Sequence, residues 1–148
     1  MRTDIKNFIE AELRDYHKTK KDLEEAKEDI ASEGIIPTMS HAQSGPTYKI
    51  NRATESKAMK LVTNKRIKRM EDVINAIDIV LGELPEDRIE LIELKYWQRP
   101  RKLTDAGIWT RLSIDRSTFY RWDYGIKIAI AVELGLMQDP KLRQRCDF

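Results

Sequence analysis

The feature that most constrains this chain is a seven-residue apolar repeat near its start. Ile9, Tyr16, Leu23 and Ile30 fall on one stripe, with Ile5, Leu13 and Ala26 beside it. That spacing keeps one side of a helix turned toward a partner helix, and a strand, with its period of two, would scatter it over both faces. The remaining faces are densely charged, as in KTKKDLEEAKED. Residues 3–33 are therefore expected to form one long helix, ended by Gly34 and followed by Pro37.

A second long helix is expected from about 53 to 84. Ile67, Met70, Ile74, Ile77, Leu81 and Leu84 alternate steps of three and four, and Val73 and Val80 widen the stripe. The intervening stretch 34–51, GIIPTMSHAQSGPTYKIN, has two prolines, two glycines and no period, which marks a linker. The linker can turn the chain back, so residues 1–84 are expected to form a long helical hairpin. In that arrangement Glu24, Glu25, Glu28 and Asp29 face Lys57, Lys60, Lys65 and Arg66. The same cations could also meet a nucleic-acid backbone, since exposed ion pairs are weak and exchangeable. The width of the 67–84 stripe points to more neighbours than one hairpin helix supplies, and hence to a homodimer.

Several function classes are disfavoured. No apolar run reaches the roughly 18–20 residues of a membrane span. The start, MRTDIKNFIEAE, is too acidic for a secretion signal. The single cysteine, Cys146, lies in a polar tail and cannot form an internal disulfide, which fits a reducing cytoplasm. His17 and His41 are the only histidines and have no ligand-spaced partners, so no metal site is expected. The carboxylates alternate with lysines in the pattern of a wet helix face, and neither a glycine-rich phosphate loop nor a nucleophile motif occurs. Neither catalysis nor a cofactor is expected.

Net charge is only +2, but its distribution is uneven. Eight Lys/Arg against one acid lie in residues 49–69, and eight against three in residues 95–127. The second basic segment falls where the pattern shortens. Residues 86–97, EDRIELIELKYW, place Ile89, Ile92, Leu94 and Tyr96 or Trp97 inward. QRPRK makes an exposed basic loop. Thr104 or Asp105 caps a short helix, DAGIWTRL; LSID makes a tight turn; Asp115 or Ser117 caps a longer helix from about Arg116 to Leu134, closed by Gly135. A short helix, a turn of about four residues and a longer helix form a helix-turn-helix, in which the second helix enters the major groove by its first turns. Residues 85–137 are expected to be that unit, and 138–148 a tail.

Within SIDRSTFYRW, Ile114, Phe119, Trp122 and Ile126 are spaced to face the core. Arg116, Ser117, Thr118, Tyr120 and Arg121 lie on the leading surface. Arginine can fork onto guanine, and hydroxyls can bond bases or phosphates. Arg99, Arg101, Lys102, Arg111 and Lys127 are the candidate contacts to the DNA backbone.

The runs LPEDRIELIELKYW, TDAGIWTRLSIDRSTFYRW and AVELGL resemble region 4 of bacterial sigma factors, and are closer to the RinA/ArpU family of phage late-gene transcription activators. The resemblance covers most of the chain, with specific motifs in about the last 60 residues. It implies an all-α fold whose helical hairpin precedes a sigma-region-4-like helix-turn-helix. It implies sequence-specific binding to double-stranded promoter DNA of a phage or prophage late operon in a bacterial host, with contact to RNA polymerase as a further possibility. Two other readings stay open: a phage small terminase subunit, and an adaptor that docks on polymerase without reading DNA. One departure concerns the turn. Such units often have a small residue where Trp109 stands and glycine where Ser113 stands. Either Ala106 or Gly107 makes the close helix approach, or the two helices are more widely spaced.

Overall fold

The computed structural model describes residues 1–33 and 49–137, with side chains for 1–31 and 59–137. Among the described residues there are five α-helices and no strand: α1 (Thr3–Glu33), α2 (Lys49–Glu83), α3 (Glu86–Ile92), α4 (Asp105–Arg111) and α5 (Arg116–Glu133). A π-helical turn, Glu93–Trp97, continues α3. The expected bounds of α1 and α5 agree closely. Helix α2 starts at Lys49, four residues before the expected 53, and takes in the last three linker residues. The rest of the linker, with His41, and the tail 138–148, with Cys146, lie outside the described residues.

The seven-residue stripe buries Ile9, Leu13, Tyr16 and Leu23, but it stops before Ile30, which is 43% exposed. The wide face of α2 buries Ile67, Val73, Ile74, Ala76, Ile77 and Val80. That width is used within the chain, because α2 packs on both α1 and α5. The width of this face therefore does not call for a second copy of the chain.

The α1–α2 contact differs in detail from the expected hairpin. The pairing runs in opposite chain directions from Tyr16–Asp78 to Lys27–Glu71. Yet the Arg69 guanidinium also lies 6.0 Å from the Phe8 ring. Phe8 and Lys27 stand about 28 Å apart along α1 at a 1.5 Å rise per residue, while Arg69 and Glu71 are close neighbours. A helix lying flat alongside α1 could not reach both, so α2 crosses it steeply. Ion pairs of the opposite polarity also occur in the contact. Lys20 pairs with Asp78 at 3.6 Å and Lys27 with Glu71 at 2.7 Å, so cations on α1 meet acids on α2.

The expected boundary at residues 84–85 is not a packing boundary. Ile9 and Leu13 of α1 belong to the same apolar cluster as Leu91, Ile92, Phe119 and Ile130. The π-turn helps to join them. The Gln98 amide donates to the Glu93 carbonyl five residues back, at 2.9 Å, which widens the last turn. The adjacent side chains Tyr96 and Trp97 then serve different neighbours. The Tyr96 hydroxyl donates to Asp123 of α5 at 2.6 Å. The Trp97 indole N–H donates to the Leu13 carbonyl of α1 at 3.0 Å, and its ring stacks on Tyr16 at 5.3 Å.

Candidate nucleic-acid interface

The turn between α4 and α5 is set by local chemistry. The Thr104 hydroxyl caps α4 by accepting from the Gly107 amide at 3.2 Å. Ser113 takes a left-handed conformation, φ +56°, in the four-residue connection Leu112–Asp115. A left-handed position of this kind suits glycine, and here a serine holds it. The Ser113 and Ile114 amides donate back to the Thr110 and Trp109 carbonyls at 3.1 and 3.0 Å, closing the turn.

Asp115 then caps α5. Its carboxylate accepts from the Ser117 hydroxyl, from the Thr118 hydroxyl at 2.6 Å and from the Thr118 amide at 3.1 Å. The two hydroxyls, followed by the amide, hold the Asp115 carboxyl far below the usual carboxylate range. The hydroxyl protons of Ser117 and Thr118 are committed to Asp115, leaving those oxygens to act toward a ligand as acceptors.

Arg116, Tyr120 and Arg121 are exposed on the first turns of α5. The Arg116 guanidinium lies 5.7 Å over the Tyr120 ring. Tyr120 in turn meets Phe119 and Trp109 edge-on, at 5.2 and 6.2 Å. Phe119 is fully buried, and Trp109 packs on it edge-on at 5.7 Å. Neither Ala106 nor Gly107 makes the close approach to α5. Ala106 is exposed, and a Cβ at Gly107 would meet Leu103 at 3.3 Å rather than α5. The Trp109 indole makes the contact with α5 instead.

The expected backbone cations divide. Arg99, Arg101, Lys102 and Arg111 are exposed. Arg99 donates to Asp15 and to the Arg14 carbonyl, both at 2.9 Å; Arg101 pairs with Asp105, and Arg111 with Glu90 at 3.4 Å. The acid side chains are 33% to 53% exposed, so the pairs are weak and exchangeable. Lys127 requires a correction. Its side chain is only 3% exposed, and its ammonium pairs with Asp123 at 2.7 Å and with Glu10. It cannot reach a DNA backbone, because α1 covers this side of α5.

Asp123 is the centre of that buried network. Lys95 meets it at 2.9 Å, Lys127 at 2.7 Å and the Tyr96 hydroxyl at 2.6 Å. Burial opposes its charge, but the two ammonium groups and the hydroxyl prevail and hold its pKa below the ordinary value. Burial, reinforced by the neighbouring Asp123 charge, pushes the Tyr96 hydroxyl far above its usual pKa. Sequence reasoning missed the roles of Asp123, Lys127 and Glu10. Only their i, i+4 spacing linked Asp123 to Lys127, and Glu10 lies 117 positions away from Lys127.

Together these elements define an all-α protein whose last long helix has an exposed cationic start and a buried, ion-paired middle. The chain belongs to the family described as Protein of unknown function (DUF722), which matches residues 6–132 and so spans all five helices. No curated protein and no solved structure matches it.

Proposed function

We propose that this protein is a sequence-specific regulator of transcription that binds double-stranded DNA, of the kind that activates a phage or prophage late operon. In this reading α4, the Ser113 turn and α5 form a helix-turn-helix, and α5 enters the major groove by its first two turns. The observation that carries the reading is the exposed Arg116–Tyr120–Arg121 edge at the start of a helix whose opposite side is anchored by Phe119. Arg116 and Arg121 read base edges, with Tyr120 steadying Arg116. Arg99, Arg101, Lys102 and Arg111 exchange their weak acid partners for phosphates, and Lys127 takes no part. A homodimer, if it accompanies this function, forms through residues other than the 67–84 face; Met59, Leu61 and Val62 are large apolar side chains that α2 leaves more than 60% exposed.

Footprinting of the wild-type chain on fragments of its own operon tests the proposal. A discrete protected site, lost in both Arg116→Ala and Arg121→Ala, is the expected result. Each substitution should cost on the order of 1–3 kcal/mol of specific binding. Two variants that protect the same site as the wild type would show that α5 is not the reading helix.

A further inference from the structure

Where α1 meets the basic QRPRK loop, the surface holds a half-open depression of about 200 Å³. Its lining is Arg14, Lys95, Tyr96, Gln98, Arg99 and Arg101. Four of these six are cations and none is acidic. Arg14 is supplied by α1, and the others by the π-turn and the loop that follows it.

The groups are arranged for an anion. Arg99 is fixed by its two bonds to α1, to the Arg14 carbonyl and to Asp15, which leave further guanidinium N–H groups to donate. Lys95 is the innermost cation, with a side chain 13% exposed and its ammonium on Asp123. The side-chain oxygen of Gln98 is buried and has no hydrogen-bond partner, an unfavourable state unless something else bonds the amide. A half-turn of that amide exchanges its oxygen for its NH2 group, so Gln98 can accept from a protonated ligand or donate to an anion. The carboxylates nearby do not neutralise the site irreversibly. Arg14 has Glu10 at 3.5 Å, Arg99 has Asp15 at 2.9 Å and Arg101 has Asp105, and the three arginine side chains are 45% to 63% exposed. Such pairs contribute little, and a multiply charged oxyanion that accepts from several guanidinium forks at once competes well with them.

We propose that this depression is a seat for a phosphate group, carried either by a nucleic-acid backbone or by a free phosphate monoester. Arg14, Arg99 and Arg101 form the rim, and Lys95 and Gln98 the floor. The proposal does not depend on base reading by α5.

The test uses the full chain labelled with nitrogen-15. Sodium phosphate is titrated at constant ionic strength while the Gln98 side-chain amide and the Arg99 and Arg101 backbone amides are followed by NMR. The expected result is a saturating millimolar response that sodium chloride does not produce. Arg14→Gln and Arg101→Gln, with otherwise unchanged spectra, should each weaken it roughly tenfold, the loss of one charge-assisted contact. No response, or an equal response in both variants, overturns the proposal. The source of the phosphate is then read from duplex binding. Arg14→Gln lowers the salt slope by about one if the seat holds a backbone phosphate, and leaves it unchanged if the seat holds a free monoester. A chain that binds no duplex at all would sink the DNA-reading proposal, while the phosphate titration would still give its own answer.

Discussion

The first turns of α5 and its middle use similar residues in opposite settings. Arg116 and Arg121 are exposed, with the aromatic ring of Tyr120 beside Arg116. Two turns on, Lys127 is almost fully buried, pinned between Asp123 and Glu10. The decisive difference is what lies across from each. Helix α1 covers the middle of α5 and brings an acid to it, whereas α4 packs on the Phe119 side of its start and leaves Arg116 and Arg121 exposed. A cation on a helix is therefore exposed or locked into the fold according to its neighbour, and its identity alone does not decide.

The comparison predicts unequal sensitivities along one helix. Asp123→Ala should have the largest effect, because it leaves Lys95 and Lys127 buried around a missing charge. Removing one partner of a buried ion pair costs about 3–5 kcal/mol, measurable as a fall in the denaturant midpoint. A loss under about 1 kcal/mol would mean that the network is open to water.

Acid should act on the same contrast. The folded-state pKa values of Asp123 and Asp115 both lie below their unfolded values. Their contributions are complete above the ordinary carboxylate pKa of about 4 and are lost as pH falls through the folded-state values. Thermal melts should therefore fall in midpoint below about pH 4. Asp115→Asn keeps a capping side chain without the titration, so its midpoint should fall less steeply than that of the wild type. Equal slopes would remove Asp115 from the account.

A smaller effect belongs to the turn. Ser113→Val forces a β-branched residue into a left-handed conformation and should cost about 1–2 kcal/mol, whereas Ser113→Gly should be neutral or slightly stabilising. A valine variant as stable as the glycine variant would show that the turn is not left-handed in solution. Smallest of all, Arg116→Ala should change stability by no more than about 0.5 kcal/mol, as for an ordinary surface site.

Much of this was legible in the sequence, and the division is physical. The bounds of α5, a cap at Asp115 or Ser117 and the burial of Phe119 depend on neighbours within a few positions, so spacing reveals them. The heptad stripe identified the buried side of α1 but not its partner's angle, because an apolar stripe is compatible with many crossings. Lys127 reads as a surface charge because hydrophobic pattern assigns charge to solvent by default; the acid Glu10 and the cover come from α1, at the far end of the chain. Arg14 stayed hidden for the same reason, on an exposed stretch of α1 that becomes part of a site only when the π-turn docks beside it.

The most direct test of the central claim, that the exposed start of α5 recognises and its buried middle only supports, is a ratio of affinities. Binding of Arg121→Ala and of the wild type would be measured on the footprinted fragment and on unrelated duplex at one salt concentration. The account predicts that Arg121→Ala keeps its stability and its weak affinity for unrelated duplex but loses roughly ten- to a hundredfold in preference for the specific site. An unchanged preference ratio in a folded variant would contradict it.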